Sequence, residues 1–294
     1  MVPSFAGGRA DQIRARLEGS AYPREKIDKY CRLVERIEKE LLPHEVIVNN
    51  RYTRWFESGD FDATELRHFV TQFSVFSNFF IVAQLLKTIN APTLEAMHAS
   101  KEILMNELGV VFRNPEKKQQ TEEEVEAEGT VNGSTFRFSS AHFEWLLRMA
   151  THLGLEFKDL GKRRHGTPTT LFFCDELARI YGAEDTSTAL GASFAVENWA
   201  AAGFWKELIR GLTVFKEREC PNLPLGFFTW HDMVEDQHAR HTWDELEEEF
   251  FAHDKVDEDK FIQGGVEMLD GVLAFWNGLN DDRLARETSH RAAS

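Results

Sequence analysis

His231, Glu235 and His238 lie in the stretch PLGFFTWHDMVEDQHARHTWDELEEEFFA, residues 224–252, and they carry the clearest chemical signal in the chain. Pro224 can open a helix and nothing breaks the pattern before Ala252, so the sequence predicts one long helix. At 3.6 residues per turn, the two imidazoles and the carboxylate fall on one narrow stripe. Phe227, Phe228, Trp230 and Val234 surround the start of that stripe and turn it inward. Polar groups held away from water need compensation, and a bound cation supplies it. Nitrogen and oxygen donors without thiolate suit iron, manganese or zinc. The plainer reading is a helix of satisfied histidines with an acidic outer face.

Three further residues could join them. Glu197, in FAVENWAAAGFW, is the only charged residue between Asp185 and Lys206. A carboxylate inside such an apolar helix either takes up a proton or meets a cation. Ser193, Ala200 and Ala201 leave room beside it on the same face. His142 opens HFEWLLRMATHLGL and shares a face with Trp145, Leu146, Met149 and Leu153, which alone reads as a core histidine. Glu107, in MNELGVVF, ends a helix, where the helix dipole disfavours an acid unless a positive group is near. Together the helices offer a carboxylate-rich site for two metal ions.

The elements that must position these residues follow from length, composition and punctuation. The chain of 294 residues is 42% hydrophobic, enough for a large core in one domain or two fused ones. A formal charge of −15 argues against nucleic acid and against an anionic membrane surface. Cys31, Cys174 and Cys220 are scattered without a CxxC pair, which indicates neither a disulfide framework nor a thiolate metal site. With no signal-like apolar segment at the start and no apolar run long enough to span a bilayer, a cytoplasmic protein is expected.

Residues 1–20 read as a loosely held arm, 21–279 as a single helical domain, and 280–294 as a disordered tail. Helices are expected from Pro23 to about Leu42, across His44–Phe56, from Asp62 as cap to Ile89, and from Thr93 as cap to about Val111. Residues 113–137 form an exposed acidic insertion with a short hairpin around Asn132-Gly133. Ser139 or Ser140 can cap a helix reaching Leu153, and helix 169–181 follows Pro168. One helix from Asp185 or Thr186 to about Glu217, the central 224–252 helix, and a last one from Glu258 to Gly278 complete the chain. No segment alternates as a strand does. The expected class is all-α, with about seven to eight helices.

ELG at 107–109, HFEWLLRMATHLGL, the isolated Glu197 and the HxxxExxH spacing resemble the heme-oxygenase-like diiron oxidases and oxygenases. These iron-containing redox enzymes are relatives of the thiaminase-like and PQQ-biosynthesis folds. The resemblance covers about residues 60–250 and implies Glu107, His142, Glu197, His231, Glu235 and His238 as metal ligands. Glu235 stands where an aspartate is usual, the separation of Glu107 from His142 is long for the motif, and Gln72 stands where some relatives add a carboxylate. The resemblance implies a heme-oxygenase-like helical bundle with two Fe ions cycling between Fe2+ and Fe3+, and O2 as cosubstrate. It also implies oxidation of a small molecule: N-oxygenation, desaturation, C–C fragmentation or oxidative decarboxylation of an amino acid, amine or fatty acid. An external electron donor and a homodimer are compatible with it. Phe194, Trp199, Phe204, Trp205 and Phe228 are candidate pocket walls, although aromatics at helical spacing also build plain core.

Two alternatives stand beside this reading. A ferritin-like diiron bundle would use Glu65, Glu95-x-x-His98, Glu197 and Glu235-x-x-His238. A metal-free helical domain of the same fold would bind a small molecule or a partner. Heme binding would need a single proximal histidine, for which His44 and His68 are candidates.

Overall fold

The computed structural model describes residues 8–111, 135–253 and 256–293, without the side chains of 234–239, 241, 253 and 290–293. It is helical almost throughout, as the punctuation predicts. Asp62 accepts from the Thr64 and Glu65 amides and starts α5 (Ala63–Ile89). Thr93 caps α6 (Leu94–Glu107), Thr167 with Pro168 starts α8 (Pro168–Glu176), and Asp185 caps α9 (Thr186–Ala200). Each cap satisfies backbone N–H groups that a helix start leaves unpaired. α7 (His142–His152) begins after Ala141 with no side-chain cap, because Phe138–Ser140 form a 3-10 turn instead.

Four differences from the sequence expectation have physical causes. The arm is held down. α1 (Arg9–Leu17) buries Ala10, Ile13 and Leu17 against α2 (Arg24–Arg36), and Arg9 lies 4.0 Å over the Trp243 ring. Segment 44–56 is two short helices, α3 (Glu45–Val48) and α4 (Arg51–Phe56), because the Asn50 side chain caps a fresh start at Tyr52 and Thr53. The helix expected from 185 to 217 is interrupted. Gly203 takes φ +102°, a left-handed conformation that only glycine adopts without strain, and α10 (Phe204–Glu219) leaves in a new direction. Residues 280–293 continue α12 (Glu258–Ala293) rather than fraying, since Arg286 forks onto Glu65 at 2.7 and 3.1 Å and His68 meets Asp282 at 2.9 Å.

α12 is the spine. It buries Phe261, Met268, Leu269, Val272, Phe275 and Trp276 and packs along α9, α8 and α4. The crossing with α9 is backbone to backbone: a Cβ on Gly191 would sit 2.0 Å from Phe261 O, and one on Gly264 2.5 Å from Thr188 O. α5 lies across α6, α8 and the π-helical turn Leu177–Tyr181. It is long and apolar enough to cross a membrane, contrary to the sequence expectation, yet 44% of its most apolar window is buried in the fold. α11 (Gly226–Glu248) packs against α9, α10 and α7.

The base of the insertion is a two-stranded ladder, β1 (Val110–Val111) with β2 (Thr135–Phe136), antiparallel, Val110 opposite Phe136. The expected hairpin at Asn132-Gly133 lies outside the described residues.

Candidate metal centre

The ladder decides how Glu107 meets His142. Gly109, at φ +102°, turns the chain out of α6 so tightly that a Cβ there would sit 2.4 Å from Arg137 O. Arg137 N donates to Gly109 O at 2.9 Å, and β1 pairs with β2 directly afterwards. The last residue of α6 therefore adjoins the first of α7. Glu107 Oε1 lies 3.0 Å from His142 Nδ1.

That pair is close but not hydrogen-bonded. His142 is 4% exposed, and its Nδ1 is buried with no hydrogen-bond partner despite the nearby carboxylate. The short distance and the missing bond agree if the two atoms are misaligned, each presenting electron density to a common point. Two ligand atoms at right angles, about 2.1 Å from one ion, stand roughly 3 Å apart. The pair has the spacing of neighbouring ligands.

His231 completes the group from α11. Its Nδ1 lies 2.7 Å from Phe227 O; a carbonyl only accepts, so Nδ1 carries the proton and Nε2 the lone pair. The ring stacks on Trp205 at 4.8 Å and meets the His142 ring edge-on at 4.9 Å. Ligand atoms of Glu107, His142 and His231 all lie within 4.8 Å of one another. Among the described residues these three form the group that fits a cation, on the evidence of the orphaned His142 nitrogen.

Glu197 is 9% exposed and lines the same cavity from α9, but it is not among the three clustered ligands. Its environment holds a residue that the sequence reading passed over. Lys87, near the end of α5, donates to Ser193 Oγ at 2.7 Å and lies 4.9 Å over the Tyr181 ring. Burial works against its ammonium, yet Tyr181, Glu245 and Glu197 outweigh that and hold its pKa above the usual lysine value. Burial pushes the Tyr181 phenol up to about 12. The sequence left Glu197 to take up a proton or to meet a cation, and Lys87 is a cation that the protein itself supplies on that side of α9. Lys87 continues the stripe Phe73, Phe76, Phe80 and Gln84 at helical spacing, which is the signal that could have found it.

Glu235 and His238 follow His231 on α11, and their side chains lie outside the described residues. Gln72 holds a loop, donating to His165 O and accepting from Thr167 N and Thr170 Oγ1 at 2.8–2.9 Å. The ferritin-like set does not assemble: Glu95 and His98 are exposed and Glu65 is bound by Arg286. The heme candidates are engaged with carboxylates, His44 with Asp270 at 3.2 Å and His68 with Asp282.

The cavity, of about 120 Å³, is walled mainly by Phe73, Phe76, Phe80, Phe173, Trp205 and Phe227. Of the expected walls, Trp199 and Trp205 line it. Phe194 packs instead against Trp243 (4.6 Å) and Phe261, Phe204 stacks on the far side of Trp199 (4.5 Å), and Phe228 packs among Phe69, Phe73 and Trp205. The helix pair α9–α11 is locked beside the cavity by Asn198, which donates to Phe194 O and Thr242 Oγ1 and accepts from Trp243 Nε1.

No protein-family model and no curated protein matches the sequence. Solved structures do match. A CADD-like protein of unknown function from Nostoc punctiforme PCC 73102 superposes with TM-score 0.55 at 16% identity, over 90% of this chain and 98% of its own. A domain of unknown function with a heme oxygenase-like fold from Shewanella denitrificans OS217 gives TM-score 0.53 at 13% identity, over 94% and 97%. The chain has that fold.

Proposed function

We propose that this heme-oxygenase-like bundle is an O2-dependent, non-heme diiron oxidase or oxygenase acting on a small molecule. The observation that carries the reading is the group of Glu107, His142 and His231, in which the buried His142 presents an orphaned imidazole nitrogen to a carboxylate. These three would hold one ion. Glu197, with Glu235 and His238 from α11, would complete a site for a second. Bound iron would supply electrons and open coordination positions for O2.

The rest is done by the chain. The Phe227 carbonyl fixes the tautomer and direction of His231, so that one nitrogen is always the ligand. Aromatic walls exclude water from the site and strengthen its electrostatics. They offer hydrocarbon surface along most of the cavity, which favours a substrate that presents an apolar segment, such as a fatty acid or a hydrophobic amino acid or amine.

The metal-free reading gains one observation, since Lys87 gives Glu197 a cation without any metal. Anaerobic loading with Fe(II) separates the two. About two Fe per chain are expected, each keeping an open position. His142→Ala and His231→Ala should abolish binding, with His98→Ala retaining it. Uptake near zero by folded wild-type protein would refute the oxidase reading.

A further inference from the structure

Lys87 is a half-buried cation near the cavity that the proposed chemistry does not use. Its ammonium is anchored by a side chain of α9: Ser193 Oγ accepts from it at 2.7 Å. Ser193 stands one helical turn before Glu197, on the same face. Tyr181 lies beneath the ammonium, its ring centroid 4.9 Å away. Two carboxylates act on Lys87, Glu197 from α9 and Glu245 from α11. Tyr181 is itself fixed by donation to Gln84 Oε1 at 2.9 Å, and Gln84 by the Ser100 carbonyl. The ammonium is therefore held between α5, Ser193 of α9 and the 177–181 turn.

We propose that Lys87 is a positioning residue: an internal cation that partners Glu197 before metal arrives and competes with metal for that carboxylate afterwards. The inference rests on the reading of Glu197 as a ligand. Three features of the site support it. Ser193 brings the Lys87 ammonium to the face of α9 that carries Glu197, so positive charge stands on that side in the metal-free protein. Glu245 remains as its counter-ion once Glu197 turns to metal, so the exchange strands no charge. Glu197 also stands outside the ready-formed group of three ligands, as a carboxylate shared with a lysine would. Glu107, His142 and His231 bind a cation without displacing anything, whereas a second ion must outcompete Lys87. The two metal positions accordingly differ in affinity by design of the charge network and not only by ligand number.

The test uses the full-length protein freed of metal with a chelator, titrated anaerobically with Co(II). Visible absorption reports each binding step, and melting temperature is followed alongside. Lys87→Met removes the charge at similar volume. It should lower the melting temperature of the metal-free protein and tighten the weaker Co(II) step by about tenfold or more, since a like charge near the ion is gone. The tighter step should be unchanged. Lys87→Arg should restore wild-type behaviour, and in a Glu197→Gln background the Lys87→Met effect on the weaker step should vanish. If Lys87→Met does not fold, Lys87→Gln, which can keep a hydrogen bond to Ser193, makes the same prediction. A purely structural lysine would lower the melting temperature without altering the weaker step, and that result overturns the inference while leaving the metal centre standing. A wild-type protein that takes up no Co(II) overturns the centre and the inference together.

Discussion

Replacing Gly191 with alanine sets two effects of opposite sign against each other, and the structure says which wins. In a free helix the change gains up to about 1 kcal/mol in propensity. Here the new methyl would stand 2.0 Å from Phe261 O, 2.7 Å from its carbonyl carbon and 3.0 Å from its Cα. All three are backbone atoms inside α12, so no side-chain rotation relieves them. Ordinary contact begins at 3.4 Å, and α9 must therefore move from α12 by over an ångström at the place where the two pack most closely. Overpacking of this kind costs about 1–3 kcal/mol, with rigid backbone obstacles towards the top of that range. The net destabilisation is roughly 2 kcal/mol, a fall in melting temperature of about 3 °C for a chain of this size. The same displacement carries Glu197, less than two turns further along α9, so Co(II) uptake at the weaker position should fall as well. The assay is a calorimetric melt of wild type, Gly191→Ala and Gly226→Ala, each with a Co(II) titration. Gly226 has nothing within 4 Å of an added Cβ and serves as the control. A Gly191→Ala protein melting at or above wild type would refute the close crossing and the placement of α9 that depends on it.

Asn198→Ala should cost about 1–3 kcal/mol, because it leaves the indole N–H of Trp243 without its acceptor; a melt checks this, and Asn198→Asp, which keeps an acceptor, should lose less. Arg286→Ala should expose residues 280–293 to rapid amide exchange while α5 stays protected, since it leaves a mostly buried Glu65 unpaired. Burial, and then Arg286, lower the His68 pKa more than Asp282 raises it. The unfolded chain then binds the extra proton, so the His68 contribution is present above about pH 6.5 and is lost as pH falls below it; His68→Gln should flatten the melting temperature between pH 7.5 and 5.5. Asp175, Asp185 and Glu267 are held low by Arg163, Lys260 and Arg179, so their contribution is lost only below roughly pH 4. A steep fall of stability between pH 6 and 5 in His68→Gln would contradict both assignments.

Signals that are local in the chain were legible. Asp62, Thr93 and Asp185 announce their helices because a cap acts on amides two or three residues away. Glu107, His142 and His231 were legible by residue type, though not their meeting. That depends on Gly109 and the ladder, which are tertiary. Lys87 was missed because a lysine in the last turn of a helix reads as a partner for the dipole. Only the packing of Tyr181 and Ser193 around it turns it inward. The continuation of α12 was missed for a like reason: Arg283 over Trp55 and Arg286 on Glu65 join residues more than two hundred apart. Phe194, Phe204 and Phe228 stand on helices that border the cavity but pack against neighbouring rings, a distinction that composition does not carry.

The ladder of β1 and β2 makes distance along the chain a poor ruler for this site. Once Val110 pairs with Phe136, everything between is a closed loop tied off at its neck, and the geometry of Glu107 against His142 no longer depends on what the loop contains. Closure entropy rises only with the logarithm of length, so carrying residues 112–134 in place of a two-residue hairpin turn costs roughly 2 kcal/mol. Insertion and deletion can act on such an appendage almost without penalty. Related chains can then differ by tens of residues between the glutamate and the histidine and still bring the two side chains together. The conserved quantity to look for is a glycine turn after the glutamate and a pair of bridging residues before the histidine, not a fixed spacing.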